Sequence, residues 1–281
     1  MNWLIAALVF WGAAWAINAA VARSSRAETR GAKIFVPVLF GVTLLVLWEG
    51  LVRGLGVSQV ILPPPSAVWS TILGSTDILW VDFKQTALKG ALTGYIIGAV
   101  AAFVTAIAID RSAFLTRGLL PIGNFVAALP IVGIAPILVS WFGFDWHSKA
   151  AVVVVMVYFP ILVNTVQGLR ETDAMQRDLL RTYAAGYGTT LLKLRLPAAM
   201  PFVFNGLKIA TTLALIGAIV AEYFGSPTRG MGFRISTGVG SLSIDLVWAE
   251  IAVAAVVGTS FYGLVAWIEK RVTFWHPSQR G

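Results

Sequence analysis

Long apolar stretches alternate with short polar connections along the whole chain. Each stretch is about 20 residues long, the length that an α-helix needs to cross a hydrocarbon core of about 30 Å. The stretches occupy residues 3–22, 34–52, 86–109, 119–141, 149–169, 202–224 and 246–268. The sequence lacks the short alternating segments that are typical of a membrane barrel. Because a backbone in lipid must satisfy its own hydrogen bonds, the pattern predicts an all-α, polytopic transmembrane helical bundle.

The composition excludes several classes of function. Hydrophobic residues make up 58% of the chain and charged residues only 12%, whereas soluble domains contain about 25% charged residues. The net charge of +8 fits basic residues that collect on the cytoplasmic side of a membrane. We therefore expect the lipid bilayer, and no nucleic acid, as a partner. The chain has no cysteine and only two histidines, which are far apart in sequence, so it predicts neither a disulfide framework nor a metal site.

The distribution of basic residues predicts the orientation. Two thirds of the 21 lysines and arginines fall on one side of the seven alternating stretches, and this side is expected to be cytoplasmic. The N-terminus is then outside, and the C-terminus is cytoplasmic. Basic residues follow the first stretch and none precedes it, so we expect a retained helix and not a cleaved signal peptide. Residues 1–33 are predicted to be an extra transmembrane helix with a basic cytoplasmic linker, and residues 34–281 the main transmembrane domain.

The fourth apolar stretch contains three prolines, Pro121, Pro130 and Pro136. Proline removes a helical hydrogen bond and clashes with the preceding turn, so this helix is expected to be broken or kinked. Broken backbone at membrane depth must be buried in protein or line a cavity.

The longest polar connection, residues 171–201, interrupts the apolar pattern. Its apolar residues recur at helical spacing, as Met175, Leu179, Leu180 and Tyr183. The pattern predicts a helix, a turn bracketed by Gly186 and Gly188, and a second helical stretch, 190–195, that stops at Leu196-Pro197. Such a helix could dock a partner and move as a rigid body against the bundle. An ordinary cytoplasmic loop on the lipid headgroups fits the periodicity equally well.

Polar groups within the apolar stretches are costly, so they are candidates for a translocation pathway. The candidates are Glu222, Asn124, Gly133, Asn164 and Asn205. Hydrogen bonding between helices is the alternative role for each polar side chain. For Glu222 the two roles are evenly balanced, and for Asn164 and Asn205 the structural role is favoured. Asp110 is expected only to end the third helix.

Four segments carry a resemblance to a known family. They are LPPPSAV at 62–68, LPIVGIAP at 129–136, LLKLRLPAAMPFVFNGLKIA at 191–210 and GAIVAEYFG at 217–225. Together they resemble inner-membrane permease subunits of ATP-binding-cassette importers, in the nitrate, sulfonate and taurine branch that includes importers of thiamine pyrimidine precursors and riboflavin. The resemblance covers residue 34 to the C-terminus.

The family's cytoplasmic signature reads Glu-Ala-Ala, three residues, Gly, then about a dozen residues to Leu-Pro. Aligned on Leu196-Pro197, this chain has Asp178 in place of the glutamate and Ala184 in place of the glycine. Leu179 and Leu180 replace the two alanines. The resemblance implies an ATPase-coupling loop within 171–201. Its expected residues are Asp178, Leu179, Leu180, Arg181, Tyr183, Ala184, Ala185, Gly186, Leu196 and Pro197.

The resemblance also implies a fold and a set of partners. The fold is that of a type I importer permease, a six-helix unit preceded here by one extra helix, in a bacterial-type inner membrane. The partners are a separate ATPase, an extracytoplasmic substrate-binding protein and a second permease subunit, either identical or a similar paralogue. The sequence has no G-x-x-x-x-G-K-[ST] phosphate loop, so ATP and Mg²⁺ are expected on the ATPase and no enzymatic activity in this chain. The solute would be a small organic or anionic molecule.

Two other classes of protein remain as alternatives. A secondary carrier driven by an ion gradient would show symmetric halves and paired acids within the spans, and the sequence shows neither. A membrane-embedded enzyme would need a cluster of Asp, His or Glu at membrane depth, which two separate histidines do not supply.

Overall fold

The structure is a computed structural model, and it describes residues 2–24, 27–112, 114–115, 117–118, 123, 129–225 and 228–276. These residues form helices and connecting turns without any strand, as the all-α prediction requires. The chain divides into two compact units. The first contains Met1–Asp77 and Thr237–Ile251, and the second contains Ile78–Ser236 and Ala252–Gly281.

The first unit is built on a pair of closely packed helices, α1 (Asn2–Arg23) and α2 (Arg30–Gly54). Helix α2 begins after Thr29, whose hydroxyl accepts a hydrogen bond from the Ala32 amide. A side chain at Gly50 or Gly54 would collide with α1, so these glycines allow the two backbones to approach. Helix α3 (Pro65–Gly74) follows. The predicted boundary between residues 33 and 34 lies within this unit and stays a prediction.

Most of one long helical span, Thr76–Arg111, lies in the second unit, which begins at Ile78. It consists of α4 (Thr76–Phe83), a π-helical segment (Lys84–Leu92) and α5 (Thr93–Arg111). The span therefore begins at Thr76 and not at residue 86, where the apolar stretch begins. Asp77 and Asp82 interrupt the apolar pattern within the first helical turns, which explains why hydrophobicity alone places the start too late.

The fourth apolar stretch is broken at Pro130, as predicted. Helix α6 (Ile131–Phe142) has 12 residues, begins directly after Pro130 and contains Pro136. Most of the stretch before Pro130 lies outside the described residues, including the pathway candidate Asn124. The next helix is α7 (Trp146–Arg170), which starts at the N-cap Asp145.

Segment 171–201 differs from its prediction at the second helix. Helix α8 (Ala174–Thr182) is confirmed. After it, α9 (Tyr187–Thr190), a π-helical segment (Leu191–Arg195) and α10 (Leu196–Gly225) form one uninterrupted span. The predicted stop at Leu196-Pro197 is therefore wrong. Pro197 lies in the first turn of α10, where the wider π-helical turns directly before it accommodate the proline ring.

The chain ends with α11 (Met231–Gly240) and α12 (Ile244–Val272). In the described part of the chain, six helical spans are long and apolar enough to cross a membrane. The core of the second unit is formed by α5, α7 and α10, which pack through small side chains. Its fully buried members include Ala102, Ala106, Val153, Val157, Ala210, Ala214 and Ala218.

Candidate functional site

Helix α8 carries an apolar stripe that faces away from the bundle. Met175, Leu179 and Tyr183 are 76%, 57% and 77% exposed. Their spacing of four residues places them on one side of the helix, whereas Leu180 is half-buried. We call Met175, Leu179 and Tyr183 the docking stripe. Exposed apolar side chains in a row on a short polar helix are typical of a surface that binds a partner.

The helix ends in a tight turn at Ala184. This residue adopts a left-handed backbone conformation with φ of 54°. The Ala184 amide donates to the Arg181 carbonyl, at 2.9 Å, and the Ala185 amide donates to the Leu180 carbonyl, at 3.0 Å. This pair of bonds is the Schellman arrangement that closes many helices, where glycine is the usual left-handed residue. The family's glycine falls on this position.

The predicted glycine-bracketed turn is therefore only partly correct. The chain does turn before Gly186, but the left-handed residue is Ala184. Gly186 is extended and precedes α9, and Gly188 lies within α9.

The other predicted coupling residues surround this turn. Asp178 and Arg181 form an exposed ion pair at 3.0 Å on α8. Ala185 is half-buried and Gly186 is exposed, and Leu196 and Pro197 are half-buried at the start of α10. The segment thus presents α8 to the surface and holds the beginning of α10 within the bundle.

A buried ion pair holds the base of segment 171–201. The guanidinium of Arg195 donates to both carboxylate oxygens of Asp110, at 2.7 and 2.5 Å. It also donates to the Leu169 carbonyl from Nε, at 3.0 Å, and from Nη2, at 2.8 Å. The Tyr187 hydroxyl donates to Asp110, at 2.9 Å. No local sequence signal indicates this pair, because 85 residues separate its two members.

Glu222 belongs to a second buried network. Glu222 is only 1% exposed. Its Oε2 accepts hydrogen bonds from the Thr86 hydroxyl, at 2.6 Å, and from the Gly232 amide, at 3.1 Å. The Thr86 oxygen in turn accepts from the Met231 amide, at 2.8 Å. A carboxylate and a hydroxyl from other helices therefore satisfy the first amides of α11, which are otherwise without intrahelical partners.

Asp82 completes this arrangement. It is fully buried and accepts from the Gly230 amide, at 2.6 Å, and from Arg234 Nε, at 2.8 Å. Buried carboxylates at a helix N-terminus are stabilised by the helix dipole. The contacts of Glu222 and Asp82 fix the position of α11, so a structural role is evident for both, and the pathway role of Glu222 stays a prediction.

Lys149, the first residue of the apolar stretch 149–169, is also buried. Its ammonium group donates to the carbonyls of Phe144 and Gly225, both at 2.6 Å. Gly225 is the last residue of α10. The positive charge therefore lies at the C-terminal end of that helix, where a cation is favourable.

Asn164 and Asn205 are brought together between α7 and α10. The Asn205 amide donates to the Asn164 oxygen, at 2.9 Å, and the Asn164 amide donates to the Pro160 carbonyl, at 2.8 Å. This is the helix–helix role that the sequence analysis gave as the alternative. Asn205 remains exposed, as does Gly133 on α6.

The candidate pathway residues that the structure describes do not form one cluster. Asn205 and Glu222 lie on the same helix, roughly 25 Å apart at 1.5 Å per residue,. A third polar contact, the ion pair between Lys208 and Glu269 at 2.6 Å, connects α10 to α12. Among the described residues, no group of three or more His, Cys, Asp or Glu side chains could hold a metal ion.

Comparison with known proteins agrees with this architecture. The model of the family described as "Binding-protein-dependent transport system inner membrane component" matches residues 87–274. A probable ABC transporter permease protein of Haemophilus influenzae is 32% identical over 240 residues, which cover 85% of this chain and 97% of that protein.

Two further relatives carry more specific names. The formylaminopyrimidine transport permease protein of Halalkalibacterium halodurans is 29% identical over 243 residues, which cover 86% of this chain and 96% of that protein. A putative aliphatic sulfonates transport permease protein of Bacillus subtilis is 27% identical over 248 residues, with coverage of 87% and 88%.

Proposed function

The chain belongs to the family of binding-protein-dependent transport system inner membrane components, and on that premise we propose that its segment 171–201 docks a separate ATPase. The chain is a multi-pass inner-membrane permease subunit of an ATP-driven importer. The family implies an ATPase and a substrate-binding protein as partners in general. The docking site, the orientation and the solute are the points that we propose.

The docking stripe on α8 carries the docking proposal. It offers two flexible apolar side chains and one aromatic ring, all more than half exposed, in a part of the chain that two thirds of the basic residues assign to the cytoplasm. An ATPase that closes on binding ATP and Mg²⁺ would bind this stripe and move α8 as it closes. The hydrolysis site is assigned to the ATPase, since this sequence has no phosphate loop.

The translocation pathway is assigned to one exposed face of α10. Asn205, Ile209, Thr212 and Ile216 recur at spacings of three and four residues, and all four are exposed. Polar side chains exposed at membrane depth require water or a protein partner. We place a second permease subunit, identical or similar, across this face, so that the two subunits line one pathway.

The solute is proposed to be a small organic or anionic molecule. Relatives of similar length carry names for formylaminopyrimidine, aliphatic sulfonate, riboflavin and taurine transport. The α10 face offers carboxamide and hydroxyl groups and no carboxylate, which suits hydrogen-bond acceptors such as a sulfonate or a pyrimidine. We propose that the N-terminus lies outside and the C-terminus in the cytoplasm. In this orientation, α8 lies on the cytoplasmic side of the membrane, where the ATPase is.

The test is co-purification of the chain with its ATPase from the native membrane. Leu179→Ser should lower the amount of retained ATPase, because it replaces the central apolar contact of the docking stripe by a hydroxyl. Ala174→Ser is the matched control, since residue 174 is exposed and lies roughly on the opposite side of α8 at 100° per residue. Equal retention by both variants would place the docking surface elsewhere. Solute transport by the chain alone, without ATP, would favour a secondary carrier.

A further inference from the structure

We propose that the Asp110–Arg195 ion pair is a positioning contact that transmits movement of the docked segment to the transmembrane helices. The inference rests on the proposed docking function of segment 171–201. Neither residue belongs to the docking stripe, and neither has a place in the proposed pathway. Because they lie between these two regions, we assign them a role in transmitting movement from one to the other.

The pair joins three helical spans at one point. Asp110 lies in the last turn of α5, Leu169 in the last turn of α7, and Arg195 is the last residue of the π-helical segment before α10. The Arg195 side chain reaches both other helices, through the Asp110 carboxylate and the Leu169 carbonyl. A displacement of Arg195 would therefore act on α5 and α7 together.

The geometry of the contact is directional. Arginine presents a planar fork that bonds a carboxylate at two points, which fixes orientation as well as distance. The Asp110 and Arg195 side chains are only 5% and 14% exposed, so water and salt screen the contact little. Buried ion pairs contribute little net stability compared with apolar packing. A buried pair with bidentate geometry is therefore better suited to setting position than to adding stability.

The same carboxylate also receives a contact from the moving segment. The Tyr187 hydroxyl donates to Asp110, and Tyr187 opens α9 just after the turn that ends α8. The Arg111 guanidinium lies over the Tyr187 ring, 5.7 Å from its centroid. Asp110 is thus contacted from both ends of the helical piece that leads from α8 into α10, so movement of that piece would act directly on the end of α5.

The experiment uses the assembled importer in lipid nanodiscs or proteoliposomes, with its ATPase and binding protein. Three quantities are measured: the amount of ATPase retained, the rate of ATP hydrolysis, and the solute moved per ATP hydrolysed. Arg195→Gln should retain the ATPase and hydrolyse ATP, while solute moved per ATP falls by about tenfold, the effect expected from losing a charge-assisted hydrogen bond. Lys193→Gln is the matched control, because Lys193 is exposed and lies in the same π-helical segment.

Arg195→Gln also leaves Asp110 buried without its counter-ion, so it could fail to fold. The double variant Asp110→Asn with Arg195→Gln removes both charges and keeps a side-chain pair able to form hydrogen bonds. This double variant should assemble with the ATPase and still show low transport per ATP. If the folded double variant transports the wild-type amount of solute per ATP, the proposal is overturned. Loss of ATPase retention in that variant would also overturn it, because the pair would then shape the docking surface. A wild-type importer that retains no ATPase would instead contradict the docking function itself.

Discussion

Replacing Ala184 by glycine should stabilise the C-terminal end of helix α8. Ala184 is held at φ of 54°, a conformation in which an L-residue with a Cβ is strained by roughly 1–2 kcal/mol. Glycine removes this strain but gains conformational freedom in the frayed state, which costs about 0.4–1 kcal/mol. The net gain is therefore about 1 kcal/mol, or about a fivefold shift from the frayed to the closed turn.

Hydrogen exchange of the assembled protein measures this shift directly. The amides of residues 184 and 185 donate to the Arg181 and Leu180 carbonyls, so their exchange reports opening of the turn. In Ala184→Gly, exchange at residue 185 should slow by about fivefold. Proteolysis near residue 184 should slow in parallel, because it also requires the open turn.

Ala185→Gly is the matched control for this measurement. Among the described non-glycine residues, only Ala184 and Leu242 have positive φ, so glycine at 185 relieves no strain and only adds freedom to the frayed state. Exchange in this control should become faster. If both glycine variants slow exchange, or if Ala184→Gly accelerates it, the argument from backbone strain is refuted.

Four further variants test the packing and polar contacts of the bundle. Glu222→Ala should lower the free energy of unfolding by about 1–3 kcal/mol, because the Gly232 amide and the Thr86 hydroxyl lose their buried acceptor,. Glu222→Gln keeps one acceptor oxygen and should assemble normally but transport more slowly; wild-type uptake kinetics would remove Glu222 from the pathway. Gly94→Ala should destabilise by about 1–3 kcal/mol, since its Cβ would meet an α7 backbone oxygen at 2.6 Å. Gly263→Ala, which has open space around it, should leave the thermal unfolding temperature unchanged or raise it.

The helices themselves could be predicted because membrane insertion leaves a strong mark on the sequence. A segment that crosses lipid must be apolar over its whole length, so length and hydrophobicity suffice to find it. Helix α8 leaves a different signal, which is the recurrence of apolar residues at helical spacing. These signals are local, and each is complete within one stretch of chain.

The polar contacts could not be predicted because their two partners are far apart in sequence. Asp110 directly follows one apolar stretch and Lys149 begins another, so each looks solvated when only its neighbours are considered. Asp110 instead pairs with Arg195, and Lys149 donates to Gly225. A charge next to an apolar stretch is read as its boundary unless the residue that neutralises it is known. The predicted stop at Pro197 is wrong for a related reason. The π-helical turns that accommodate this proline have no characteristic amino-acid composition by which the sequence could reveal them.

The two polar networks of the second unit are connected by a single helix. Arg195 directly precedes α10 and Glu222 lies near its end, so 27 residues, or roughly 40 Å, separate them along an uninterrupted helical path,. Backbone hydrogen bonds run along this path except at Pro197 and Pro201, whose nitrogens cannot donate,, and α5 and α7 pack against it with small side chains. Because the packing around this helix is tight, we expect the helix to move largely as one body. A displacement of Arg195 by the docked ATPase would therefore reach the contacts of Glu222 with Thr86 and Gly232, and through them the start of α11. If the proposed docking moves Arg195 and the helix carries this movement to Glu222, variants at the two residues should alter transport per ATP in a non-additive way.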